Sequence, residues 1–315
     1  MRANYALFCG CVAAVLLSQT HVRAEDKAEG KRYLIIHADD AGMCHSANRA
    51  TIECLEKGIV SSCSVMMPCS WAGEFAEYAR KHPQYDYGVH LTLNSEWGSY
   101  RWGPVAGRDR VPSLVDEEGC LWHRVEDVAK HAKRDEVEIE LRAQIERARK
   151  FEIPFSHIDT HMGALVSRPD LVELYVKLGI EYNVPMLFIR SFGEKGEQEY
   201  PAVREIGPSL LKALDEKKLP VLDTLAQFYG GKTHEERLAS YRKTIQELKP
   251  GVSQLIIHCG VYDDELRAVT GSAANRDGDR RIFSDPEMAK FIQDQHVQLL
   301  GWKDFRRMIS EGTAK

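Results

Sequence analysis

Short apolar runs of strand length alternate with helical patterns about eight times along this 315-residue chain, and no other feature restricts its fold as strongly. The runs fall at residues 33–42, 62–67, 87–93, 155–161, 186–190, 219–225, 254–258 and 297–302. Between them apolar residues recur at helical spacing. Ala47, Ala50, Thr51, Cys54 and Leu55 lead to a stop at Gly58; Ala72, Phe75, Ala76 and Ala79 form a second stripe. Val137, Leu141, Ile145 and Ala148 form the buried stripe of one long charged helix over 125–150, and 169–179 and 234–248 read as further helices. Such alternation predicts a parallel sheet wrapped by helices. The expected class is α/β, a (β/α) barrel of TIM type, distorted or incompletely closed, with an open doubly wound sheet as the alternative. The chain is 43% hydrophobic and shows no composition shift that would mark a linker, so residues 25–315 read as one barrel domain. A formal net charge of -5 and the lack of any Lys/Arg-rich run argue against nucleic acid as a partner.

Residues 1–24 carry a different pattern. Arg2 precedes an apolar stretch over 5–17, and Val22-Arg23-Ala24 forms a small-x-small site before Glu25, Asp26 and Lys27. This is the layout of a signal peptide, with an apolar core short for a membrane span; an uncleaved anchor is the alternative. The expectation is export, to the periplasm or beyond, with no stable membrane insertion after cleavage. Six cysteines then remain: Cys44, Cys54, Cys63, Cys69, Cys120 and Cys259. Several lie in apolar strand or helix patterns and no CxxC pair occurs, so they read as structural, with their pairing open. A homo-oligomer is equally open.

In a barrel, chemistry gathers where the strands end, on the rim that carries the variable loops. Here the strand ends carry Asp39 and Asp40, His90, Asp159 and His161, Arg190, and His258. Two adjacent carboxylates at the end of a buried strand repel one another, which calls for a cation or substrate, although a helix N-cap reads the same way locally. Joined by two imidazoles from other strands, they form a mixed nitrogen and oxygen set suited to one divalent metal, with Asp40, His90 and His161 as candidate ligands. Such a metal lowers the pKa of bound water and polarises a carbonyl. Asp39 is then the candidate general base and His258 the candidate acid. Asp159 is placed to orient a ligand histidine and Arg190 to clamp an acid or the substrate, unless both are rim salt bridges. His37 reads as a strand histidine bonded to neighbouring backbone. His45, His82, His123, His131, His157, His234 and His296 read as surface or structural. The aperiodic stretch over 94–123 carries Trp97, Tyr100, Trp102 and Trp122. Its rings suit stacking on sugars, with Trp97 and Trp102 as candidate substrate contacts, or pin the loop to the barrel.

Four segments in order, HADDAG with the helix around Asn48, GVHLTLN, HIDTHMG and IIHCG, resemble the YdjC-like carbohydrate deacetylases. The resemblance spans most of the chain after residue 24. It implies a (β/α) barrel and a divalent metal, Mg or Zn, held by Asp40, His90 and His161, with Asp39 as base. It also implies hydrolysis of an N-acetyl group from a saccharide containing N-acetylglucosamine. His258 is similar to a late histidine that relatives follow with proline, where this chain has Cys259. Two rival expectations stand beside this one: another metal-dependent amidase or esterase on the same barrel, or an exported carbohydrate-binding protein without catalysis.

Overall fold

A computed structural model describes residues 30–190, 201–228, 230, 231 and 233–312. The proposed leader over 1–24 lies outside the described residues. Residues 31–315 cluster as one compact unit.

Seven strands occur among the described residues: β1 (Arg32–Ala41), β2 (Ser62–Val65), β3 (Tyr87–Leu91), β4 (Phe155–Thr160), β5 (Thr224–Gln227), β6 (Gly251–His258) and β7 (Val297–Leu299). All pair in parallel, in the order β4-β3-β2-β1-β6-β5. The helices are α1 (His45–Glu56), α2 (Ala72–Lys81), α3 (Val125–His131), α4 (Arg134–Lys150), α5 (Pro169–Tyr182) and α6 (Pro201–Glu216). They continue as α7 (His234–Gln246), α8 (Asp264–Val269), α9 (Ala273–Phe283), α10 (Pro286–Asp294) and α11 (Trp302–Glu311).

The sheet closes through a weak seam. Where the sequence predicts a fifth strand over 186–190, the chain makes two isolated parallel bridges, Met186 to Ile158 and Ile189 to Leu222. Backbone bonds from Leu187 N to Ile158 O (3.0 Å) and from Leu222 N to Phe188 O (2.9 Å) carry it from β4 to the start of β5. The result is a distorted (β/α) barrel. The run at 297–302 is no eighth stave either: only Val297–Leu299 is strand, and it pairs with Arg32–Leu34 along the edge that β2 takes further up β1. Trp302 already begins α11. The long helix expected over 125–150 breaks at Ala132 and Lys133, whose extended backbone separates α3 from α4.

Alternation along the strands sorts the core. Leu34, Ile36 and Ala38 of β1, with Cys63, Val65, Val89, Leu91, Ile158, Leu255 and Ile257, join the large cluster beneath the helices. A second, small cluster of Ile35, Ile189, Leu222, Val252, Leu300, Trp302 and Phe305 plugs one end of the lumen. Above it the inward positions turn polar: His37, Ser62, Ser64, His90, His157, Asp159 and Gln254 are all buried. A barrel that fills its lumen with hydrogen-bonding side chains must satisfy them there, which is what aims these groups at the rim.

Candidate active site

Both acids of the Asp39-Asp40 pair reach the rim because β1 is irregular there. Its register with β2 shifts between Ala38 and Ala41, and Asp40 takes a left-handed backbone with φ of 66°. That conformation is strained for a side chain larger than glycine, and such strain concentrates at functional sites. The turn is held from α1, whose Asn48 Oδ1 accepts the Gly42 N–H at 2.6 Å.

Three donor atoms converge beside it. Asp40 Oδ1 lies 3.4 Å from His90 Nε2 and 3.3 Å from His161 Nδ1, and those two nitrogens are 3.2 Å apart. Ligands held about 2.1 Å from a tetrahedral zinc stand about 3.4 Å from one another, so the spacing fits a small divalent cation. Asp40 Oδ1 is buried with no well-directed hydrogen bond. The far nitrogen of each ring is tied to a carboxylate: His90 Nδ1 to Asp159 Oδ1 at 2.7 Å, His161 Nε2 to Glu96 Oε2 at 3.0 Å. Such ties fix the tautomer that turns a lone pair toward a metal. Burial favours the neutral rings, but the acids outweigh it. Glu96 and Asp40 raise His161 to about 9, and Asp159 and Asp39 hold His90 well above the ordinary value. A cation between the rings would replace those protons.

Asp39 stands opposite His258 in the β1–β6 register, with Oδ2 and Nε2 4.0 Å apart. Burial lowers the His258 pKa, with Arg276 adding to it against the pull of Asp40 and Asp39, so the ring rests neutral. Asp159 accepts from His90 and also faces His37 Nε2 at 2.8 Å. His37 thus departs from the sequence reading: its partners are side chains, Ser62, Ser64, Asp39 and Asp159. A strand histidine facing the lumen has no free backbone to bind. His157 likewise lies in β4, fully buried in the lumen.

Arg190 does not reach the site. It pairs at 2.8 Å with Asp215, both partly exposed, on the outside of the seam. Trp102 is not a sugar platform: it is buried, donates its indole N–H to Asn94 O at 3.1 Å, and meets the His161 ring edge-on at 6.3 Å. Trp122 bonds Ser113 O and stacks on His131, pinning the loop. Trp97 does line the pocket, half-buried and stacked on Tyr100. The pocket, about 800 Å³, is lined by Asp39, Asp40, His161 and His258 and has an apolar wall with Leu187, Phe188, Leu225 and Phe228.

Two residues of the site escaped the sequence. Glu96 sits in the aperiodic stretch where nothing marks one acid from another; its place two residues after the β3 segment GVHLTLN was the only signal. Arg276, on α9, donates from Nη2 to Asp40 Oδ2 at 2.7 Å and from Nε to Ser272 Oγ at 3.1 Å, with its guanidinium 5.7 Å from the Trp97 ring centre. It holds one oxygen of Asp40, leaves the other for the histidines, and keeps that carboxyl well below its ordinary pKa despite burial. In sequence it is one arginine among the charges of NRDGDRR.

A family profile described as YdjC-like protein matches residues 33–294. A carbohydrate deacetylase of Thermus thermophilus is 34% identical over 89% of this chain and 96% of its own length. A chitooligosaccharide deacetylase of Yersinia enterocolitica is 35% identical over 87% and 99%. A crystal structure from Enterococcus faecalis V583, described as a cellobiose-phosphate cleavage protein, superposes with a TM-score of 0.71 at 26% identity, covering 87% of this chain and 98% of that one.

Proposed function

This chain belongs to the YdjC-like family, and from that premise we propose that it is a metal-dependent deacetylase of N-acetylated amino-sugar oligosaccharides. The observation that carries the reading is the convergence of Asp40 Oδ1, His90 Nε2 and His161 Nδ1 on one point beside a spare carboxylate, Asp39. The names of the Thermus and Yersinia relatives support acetylated carbohydrate as the substrate. Asp40, His90 and His161 would hold one Mg or Zn ion, which when bound supplies Lewis-acid polarisation of the acyl carbonyl.

The residues of the chain do the rest. Asp159 and Glu96 keep the two imidazoles oriented, and Arg276 keeps Asp40 turned toward them. Asp39 takes a proton from the water that attacks the acyl carbon. His258, neutral at rest, has to gain a proton before it can give one, and Asp39 Oδ2 at 4.0 Å is its source. From His258 Nε2 the proton passes to the amide nitrogen as the C–N bond breaks, releasing acetate and a free amine. Trp97 offers the pocket a flat face for a sugar ring. The leader-like segment over 1–24 supports export as the setting.

The test is mass spectrometry of N-acetylated chitooligosaccharides incubated with the protein, with and without chelator. Loss of one acetyl mass, prevented by chelation and restored by a divalent ion, is the expected result. Asp39→Asn should lower turnover about 10²- to 10⁴-fold while bound metal stays unchanged. Full turnover by that variant would remove Asp39 as base, and acetyl loss indifferent to chelation would remove the metal.

A further inference from the structure

We propose that Cys54 and Cys259 are a disulfide site that ties α1 to the end of β6. The two sulfurs lie 3.6 Å apart, and the residues are separated by 205 positions in sequence. Cys54 is in the last turn of α1, and Cys259 directly follows the last residue of β6. Both are fully buried, so no ligand from solvent competes for either thiol. Among the described residues the other polar contacts of the Cys54 thiol are weak ones, Arg280 O at 3.6 Å and Ser284 Oγ at 3.8 Å, both on or beside α9. Among the described residues no other cysteine pair shares a sulfur–sulfur hydrogen bond. Cys44, Cys63 and Cys69 are likewise buried in the core as free thiols.

The placement gives the bond a consequence. α1 follows by a short turn the strand β1 that carries Asp39 and Asp40 at its end, and Cys259 adjoins His258, whose N–H is held by Asp279 Oδ2 at 3.1 Å. A covalent link between residues 54 and 259 therefore ties the helix that follows the base-bearing strand β1 to the end of β6, which carries the proposed acid, and closes a long loop of the unfolded chain. Longer loops lose more entropy on crosslinking.

The step is thiol–disulfide exchange with a small-molecule disulfide such as glutathione disulfide. The two S–H bonds break and one S–S bond forms. Two electrons and two protons pass to the glutathione disulfide, which leaves as two glutathione thiols. The pairing rests on the sulfur positions, and neither export nor deacetylation is needed for it.

The whole protein, unfolded under reduction and refolded in a glutathione redox buffer, is alkylated in denaturant and analysed by intact mass and non-reducing peptide mapping. A native sample held for days in the same buffer reaches the pair through transient opening and covers the case of poor refolding. Expected are two fewer alkylated cysteines than in the reduced protein and a linked peptide pair containing Cys54 and Cys259. The oxidised protein should melt about 5 °C or more above its reduced form. Cys54→Ser and Cys259→Ser should each abolish that redox-dependent difference while keeping deacetylase activity. Full alkylation of both cysteines by both routes, or linkage of either to another cysteine, would overturn the assignment.

Discussion

Asp86, just ahead of β3 at the N-terminal end of the strands, and Asp40, at the C-terminal end of β1, are both buried carboxylates set against histidines. Around Asp86 every bond is spent. It accepts from the Ser156 hydroxyl and from Lys303 N at 2.8 Å in the first turn of α11, where a helix N-terminus favours negative charge. His157 Nδ1 stands 3.7 Å away and its ring stacks on Trp302 with 5.3 Å between centres. The packing leaves no slack: a Cβ at Gly301 would come 2.4 Å from Asp86 Oδ2, and one at Gly88 2.4 Å from His157 Nε2. At the other end Asp40 Oδ1 and Arg276 Nη1 are buried with no well-directed hydrogen bond, Asp39 Oδ1 and Asp159 Oδ2 share the single His37 Nε2, and the backbone at Asp40 is strained. One network is closed on itself and the other is complete only with something added. The same residue types thus serve stability at one end and binding at the other, and the unsatisfied atoms tell the ends apart.

Removing groups from each end should therefore break different properties. The largest effect belongs to the rim: His90→Ala combined with His161→Ala should eliminate stoichiometric divalent metal and lower deacetylation about 10³-fold or more. Its unfolding midpoint without metal should fall as well, because Asp40, Asp159 and Glu96 lose the imidazoles they hold protonated, so metal and turnover are scored per folded chain. Metal analysis and urea unfolding on one sample read both. A variant that keeps one metal per chain would take the ligand role from these histidines.

Asp86→Asn should cost stability alone. It leaves a buried N–H and a hydroxyl facing an amide of mixed polarity and should cost about 2 kcal/mol of stability, with turnover per folded molecule within about twofold of wild type. The pH dependence has a definite sign. Interactions with His157, Ser156 and Lys303 outweigh burial and lower Asp86, so its contribution is present above the ordinary carboxylate value and lost as pH falls through the depressed one. His157 is lowered by burial, so the folded chain resists its protonation and loses stability as pH falls below about 6.5. Wild type should weaken first with His157 and then with Asp86. Asp86→Asn should lack the second step in a series of urea midpoints from pH 7 to 3. An unchanged acid limb would show that Asp86 contributes nothing to it.

How much of this was legible in the sequence follows from what each element depends on. β1, β2, β3, β4 and β6 are short runs of strand length bounded by helical patterns or turn residues, and the local pattern alone places them. The run at 186–190 looks the same, but only two bridges form, because pairing at the seam depends on neighbours far away in the chain. Asp39, Asp40, His90, Asp159, His161 and His258 stood out because an ionisable group at the end of an apolar strand is costly without a partner, and the structure gathers all six. Glu96 and Arg276 gave no such contrast. An acid in an aperiodic loop and an arginine on a charged helix look solvated until tertiary packing buries them. Trp102 misled for the converse reason: an aromatic in a loop reads as exposed, yet its indole is buried and its N–H satisfied.

Arg190 marks the low end of the comparison. It closes a strand-like run as His258 does, yet its guanidinium turns outward to Asp215 with both side chains about half exposed, at 41% and 51%. Arg276, by contrast, is buried against Asp40 and the Trp97 ring. An exposed ion pair is screened by water and is worth from nothing to about 1 kcal/mol. Arg190→Ala should accordingly shift the unfolding free energy by no more than about that amount and leave kcat and KM for deacetylation unchanged within error. Matched kinetics on the two proteins decide it. A KM raised severalfold with kcat intact would mean that Arg190 meets the sugar after all, and that the rim in use extends past the seam.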